Sequence, residues 1–217
     1  MVDFWKRYRR NRAAVFGLVV IILIIIMALT ASLFYPNDPF RLMGKPISGP
    51  LTNGFLLGSD SLGRDVASGI VHGAKTSLLI GFVATIVSVF IGIFFGAFAG
   101  YFGGRIDDIL MRVTEIFQTI PSFIFAILLV AIMKPSIVSI IIAIAVVSWP
   151  GVARLVRGEF LALKNREFVQ ACHTLGMSDF RIMLREILPN CLSPIIVVGS
   201  LMVATAILIE SGLAFLG

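Results

Sequence analysis

EFVQACHTLGMSDFRIMLREILPN, residues 167–190, is a polar interruption in a chain that is otherwise strongly apolar. It carries Glu167, Asp179, Arg181, Arg185 and Glu186, and Gly176 separates two short amphipathic patterns. Apolar runs long enough to cross a bilayer lie on both sides. A hydrocarbon core of roughly 30 Å is crossed by about 20 apolar residues in helical form. By that measure five spans are predicted, at 13–34, 77–102, 116–133, 137–156 and 192–209. A hydrophobic content of 58%, a charged content of 14% and a mean hydropathy of +1.00 exclude an ordinary soluble globular domain. Pro121 and Pro150 fall inside predicted spans and read as kinks, because neighbouring helices or water satisfy the carbonyls a proline frees.

The chain opens MVDFWKRYRRNR before an apolar run of about 22 residues, too long for a signal-peptide core of roughly 7–15, so an uncleaved anchor helix is expected. Lys and Arg favour the cytoplasmic side. With the N-terminus inside, thirteen of the eighteen fall there: Lys6, Arg7, Arg9, Arg10, Arg12, Arg105, Arg112, Arg154, Arg157, Lys164, Arg166, Arg181 and Arg185. Only Arg41, Lys45, Arg64, Lys75 and Lys134 fall outside. The predicted organisation is a basic cytoplasmic tail and first helix over 1–34, an outer loop over 35–75, and a core over 76–217. That core holds spans two to five and a cytoplasmic loop at 157–190. A net charge of +6 is accounted for by anionic membrane lipid beside these helices, with no nucleic-acid-binding pattern to claim it. Cys172 and Cys191 both fall on the reducing side, so no disulfide is expected, and neither has metal-ligand spacing.

Within the loop, Asn165 is a candidate N-cap, Glu167 suits the positive end of the helix dipole, and Gly176 suits the left-handed position that closes a first helix of about 11 residues. Ser178 and Asp179 then start a second helix that Pro189 ends. Phe168, Ala171, Cys172 and Leu175 form an apolar stripe on the first helix, and Phe180, Met183, Leu184 and Ile187 form one on the second. Helices this short must bury such stripes to persist. Periodicity leaves two partners open, the chain's own membrane bundle or a separate soluble protein.

QACHTLG (170–176) followed by REILP (185–189) resembles the E-A-A-x-x-x-G loop, with its Leu-Pro ending, of permease subunits of ATP-binding-cassette importers. FLLGSDSLGRDVASGIVHGAKTSLLIG (55–81) resembles the signature of the dipeptide, oligopeptide and nickel-chelate permeases among them. GYFGGRIDDILMR (100–112), PSFIFA (121–126), WPGVARLVRGE (149–159) and ESGLAFLG (210–217) follow in that family's order. The resemblance runs from about Phe55 to Gly217 and implies the second, C-type subunit. It further implies an all-α integral membrane protein of the type I importer (MetI-like) fold with six helices, the sixth lying past LAFLG and absent from this chain.

By resemblance, residues 167–176 form the coupling helix that docks on a separate ATPase, through Glu167, Phe168, Gln170, Ala171, Cys172, His173, Leu175 and Gly176. Gln170 stands where the family has Glu and removes a charge, for which Glu167 one turn earlier is a substitute. Cys172 replaces the second Ala. The implied partners are a homologous permease in a heterodimer, two ATPases that hold ATP and Mg, a periplasmic or lipoprotein substrate-binding protein, and membrane lipid. The implied location is the bacterial inner membrane. The sequence has no G-x-x-x-x-G-K-[ST] phosphate loop, so this chain is expected to bind no cofactor and to be a transport subunit and not an enzyme. Peptide import is the leading expectation, nickel-chelate import the alternative.

Several features are read from the residues themselves, apart from the resemblance. Gly92, Gly96 and Gly100 recur every four residues, a spacing that lets helices approach closely. Pro150 and Gly151 are candidate hinges. Glu210, near the outer end of the last predicted span, is a candidate for gating or for the pathway, because an acid there must be paired or wet. His72 and His173 are each without a second histidine nearby and read as surface or hydrogen-bonded residues and not as ligands. Asp107 and Asp108 read as a turn and a helix start. A proton-coupled carrier using Glu115 or Glu210 is the rival from another class, though no internal repeat supports it.

Overall fold

Asn11 caps a long apolar helix: its side chain accepts from the Ala14 N–H at 3.2 Å, and α1 (Arg12–Leu29) follows. The computed structural model describes residues 8–52 and 54–216, so Lys6, Arg7 and Gly217 lie outside the described residues. The remaining elements are α2 (Ala31–Phe34), α3 (Val66–Phe102), α4 (Gly104–Gln118), α5 (Ser122–Ile132), α6 (Ile137–Leu163), α7 (Glu167–Thr174), α8 (Asp179–Ile182), a π-turn (Met183–Ile187) and α9 (Leu188–Leu216). One compact unit ends at Leu78 and the other begins at Leu79, so α3 runs through both.

Among the described residues, four helical stretches are long and apolar enough to cross a membrane: Arg12–Leu29, Val66–Phe102, Ile137–Leu163, and Asp179–Phe215 through the π-turn. A fifth is possible if α4 and α5 count as one bent span. The span predicted at 116–133 is therefore corrected. α4 and α5 meet at 80°, and Pro121 caps α5 instead of kinking a continuous helix. Proline has no N–H for the carbonyl four residues back and disfavours helical geometry in the residue before it. Pro150, by contrast, lies inside an unbroken α6, where it and its neighbours Trp149, Val152 and Ala153 are buried. Packing holds the helix together there. The first predicted span is interrupted at Thr30, whose hydroxyl donates to the Ile26 carbonyl at 2.8 Å.

In the first unit, the loop between α2 and α3 is stapled by its own backbone. Gly44 and Met43 N–H donate to the Gly63 carbonyl, Ile47 N–H to Asp60 and Ser59 N–H to Ser48. Ser59 Oγ donates to Lys45 at 2.6 Å and accepts from Ser48 N–H at 2.9 Å, while Phe55 is buried. Gly58 and Gly63 have φ of +88° and +79°, and a Cβ at either would strike the carbonyl of Ser48 or Gly44. Glycine is required at both for conformation and for space.

In the second unit, Gly92, Gly96 and Gly100 bring α3 against α6. A Cβ on Gly92 would meet Val152, one on Gly96 Ala153 and Val156, and one on Gly100 Phe160 and the Arg157 carbonyl. The contact is close helix packing on small residues. Around it, Val152, Val156, Phe160, Val169, Ile182, Met183, Ile187, Cys191 and Ile195 form one buried cluster joining α6, α7, the π-turn and α9. A second cluster gathers Ile80, Ala84, Ala126, Ala143, Ile144, Ala206 and Leu213.

Candidate functional site

The loop helix α7 is shorter than expected, Glu167–Thr174, and its N-cap is Arg166, with no side-chain cap bond. Asn165 is not the cap; its carbonyl accepts from Gln170 Nε2 at 3.2 Å. The C-terminus matches the sequence expectation. Gly176 has φ of +74°, its N–H donates to the His173 carbonyl and Met177 N–H donates to Cys172. That pair of bonds is the Schellman closure, which satisfies the end carbonyls and fixes the turn.

The apolar stripe of α7 is split. Val169 is fully buried, and half-buried Cys172 packs against the same cluster. Phe168 and Leu175 stay exposed, at 39% and 81%, and so does Ala171, at i, i+3 and i+7 on one face. Glu167, Gln170 and His173 are exposed beside them. The helix is thus seated by one narrow face and presents another.

The second helix departs from its predicted form. α8 passes through the π-turn directly into α9, so Pro189 does not end it and the predicted span start at 192 falls inside a helix. Leu188 N–H already bonds the Met183 carbonyl, five residues back, when the chain reaches a proline with no N–H to offer. The extra residue also rotates the faces: Ile182, Met183 and Ile187 are buried, whereas Phe180 and Leu184 are 60% and 46% exposed.

Two polar contacts anchor this region, neither read from the sequence. Tyr101 hydroxyl donates to Asp179 Oδ1 at 2.7 Å. Arg157 Nε and Nη2 donate to the two oxygens of Asp107 at 2.5 and 2.6 Å, a bidentate pair between α6 and α4. That pair borders a cavity of about 650 Å³ with Asp108, Arg112, Glu115 and Arg154. Asp107 does open α4, as expected, and it also neutralises a span-end arginine. Of the remaining predicted residues, Gly151 is exposed with nothing within 4 Å of an added Cβ. Glu210 is buried at 8% exposure. Glu115 is exposed and 3.4 Å from Arg112. His72 Nε2 lies 3.0 Å from the Tyr35 carbonyl, the hydrogen-bonded role expected. The first part of the signature at 55–81 lies in the stapled loop, where Asp60 Oδ1 accepts from the N–H of Arg64 and of Leu62 at 2.8 and 2.9 Å, and the rest from Val66 opens α3.

Long apolar helices, small-residue packing and a short cantilevered helix between two spans define a membrane-embedded transport subunit of the type I importer fold. Similarity at fold level agrees: a chain of the MetNI methionine ABC transporter in an inward-facing conformation matches with a TM-score of 0.58 at 18% identity, over 65% of this chain and 71% of that one. Residues 92–217 match the family described as binding-protein-dependent transport system inner membrane component, and residues 1–46 match the N-terminal TM domain of oligopeptide transport permease C. The chain belongs to this family of binding-protein-dependent permeases. Relatives include a dipeptide transport system permease protein of Bacillus subtilis, 39% identical over 99% of this chain and 67% of its own length. An oligopeptide transport system permease protein of Escherichia coli K12 is 41% identical over 99% of this chain and 72% of its own. A di/tripeptide transport system permease protein of Pseudomonas aeruginosa is 38% identical over 99% and 73%.

Proposed function

We propose that this chain forms half of the translocation pathway of an ATP-driven importer for dipeptides or oligopeptides, paired with a homologous permease in the inner membrane. A substrate-binding protein delivers the peptide outside, and two separate ATPases supply the energy inside. The observation that carries the reading is the exposed face of α7, where Phe168, Ala171 and Leu175 stand out from a helix held behind by Val169, Cys172 and the Gly176 closure. A soluble ATPase closing on ATP would push this face, with Gln170, Glu167 and His173 as polar contacts at its edge. ATP and Mg belong to that partner. Pro150 and Gly151 are the positions at which α6 would flex, and Glu210 is the acid assigned to the pathway or gate. The relatives' names put peptides ahead of nickel chelates, and membership of a binding-protein-dependent family disfavours a proton-coupled carrier.

Co-purification in detergent with the sister permease and the matching ATPases tests the docking. Wild type retains the ATPases, and Leu175→Asp and Gly176→Pro lose them. Equal retention by all three sinks the assignment of α7 as the docking helix.

A further inference from the structure

Tyr101 stands on the last turn of α3 and meets three other elements. Its hydroxyl donates to Asp179 at the start of α8, 2.7 Å away, and His173 Nε2 near the end of α7 lies 3.5 Å from the same oxygen. His173 Nδ1 is 4.0 Å from Asp179 Oδ1, closing a triangle. The Tyr101 carbonyl accepts from Nζ of Lys164, the residue that caps α6, at 3.4 Å. The phenol therefore bridges the Gly176 turn from outside it, gripping the element before the turn and the element after it.

The turn does not need this bridge to form. Its own backbone bonds close it, and Val169 and Cys172 seat α7 on the bundle. Nothing lies within 4 Å of a Cβ built on Gly176, whereas Ala97 and Tyr101 of α3 pack with the buried cluster that holds Val169 and Ile182, so the phenol adds a directional polar link to an apolar contact between the loop and α3. A phenol donating to a carboxylate is a charge-assisted bond, stronger and more directional than a neutral one.

Resting on the coupling reading above, we propose that Tyr101 is a positioning residue that carries displacement of α7 and α8 straight to α3. This route is separate from the covalent one through the π-turn into α9. Asp179 is its acceptor, and His173 is the contact on the docking helix itself.

The test uses the whole importer, reconstituted in liposomes with sister permease, ATPases and binding protein, and reads peptide transported per ATP hydrolysed. Tyr101→Phe keeps the ring and removes the donor; transport per ATP falls roughly 2–10-fold, the span expected for one net hydrogen bond, while ATPase co-purification is unchanged. Asp179→Ala gives the same fall, and the double variant falls no further. Asp179→Asn, which keeps an acceptor oxygen and loses the charge, falls less than Asp179→Ala. Wild-type coupling in Tyr101→Phe, or additive losses in the double variant, overturns the proposal. So does a parallel loss of thermal stability and ATPase retention, which would make Tyr101 a folding residue. Failure of wild type itself to hold the ATPases is a different result, and removes the docking reading along with this one.

Discussion

An added methyl group has opposite consequences at Gly96 and Gly73, although both lie on α3. At Gly96 the new Cβ meets the Ala153 carbonyl and Val156 Cβ, closer than real Cβ atoms come, and backbone cannot give way. Gly96→Ala is expected to cost about 1–3 kcal/mol through overpacking, whereas Gly73→Ala meets nothing within 4 Å and gains about 0.5–1 kcal/mol of helix stability. Thermal unfolding in detergent gives both signs. The four-residue glycine spacing made this contact legible in the sequence. The Asp107–Arg157 pair was not legible, because its partners are 50 residues apart and no local pattern joins them. Asp107→Ala strands a partly buried guanidinium; since Arg157 is 36% exposed, a loss of about 1–2 kcal/mol is expected, below that of a fully buried pair. An Asp107→Ala, Arg157→Met double variant should recover part of it. In the loop between α2 and α3, the Arg64 N–H, followed by that of Leu62, holds the Asp60 carboxyl below the ordinary value of 3.8. The stabilisation is complete above that value and is lost as pH falls through the lower folded one. Hydrogen exchange at 58–65, corrected for intrinsic rate, should show protection at pH 6 that weakens towards pH 3, and Asp60→Ala should lack it at both.

Each α-helical residue advances the face by about 100°, so one extra residue in a π-turn turns every later side chain by that amount. Reading 180–187 as plain α-helix groups Leu184 with Ile187, and the structure separates them: Ile187 is fully buried and Leu184 is 46% exposed. Ile187→Ala is therefore expected to destabilise by about 2–5 kcal/mol, and Leu184→Ala by less than about 0.5 kcal/mol. Equal effects in thermal unfolding would restore the unbroken stripe and remove the π-turn's consequence. The same comparison shows where elements could be read from sequence. Spans were visible from length and hydropathy, and the end of α7 from Gly176, because those signals are local. The continuity of α8 into α9 was hidden, since a proline ends a helix only when the hydrogen-bond register reaches it unshifted. Pro121 and Pro150 make the same point: Pro150 is buried within an unbroken helix and Pro121 is exposed at a bend, a difference that the sequence does not carry.

At the scale of the molecule, the strongest signal in the sequence is the asymmetry of charge, thirteen Lys and Arg in segments assigned to one side against five on the other. That bias acts through insertion and the membrane potential more than through any folded contact, so the orientation expected from it leaves no mark in the packing. From it the loop holding α7 is expected in the cytoplasm and the stapled loop before α3 outside. Family membership and the fold say that the chain sits in a membrane; sidedness follows only from the charges. Two exposed positions separate the alternatives: Ile47 at 80% exposure in the outer loop and Leu175 at 81% after α7. In a Cys172→Ser background, with Cys191 fully buried, single cysteines at these positions give a clean readout by a membrane-impermeant maleimide on spheroplasts. Ile47→Cys should label in intact spheroplasts and Leu175→Cys only after permeabilisation. The converse pattern would put α7 on the side where no ATP is available, and an ATPase-driven push on its Phe168, Ala171 and Leu175 face would then be impossible whatever the fold. Labelling as expected, followed by protection of Leu175→Cys when the ATPases are added to permeabilised cells, would tie sidedness and docking to the same residue.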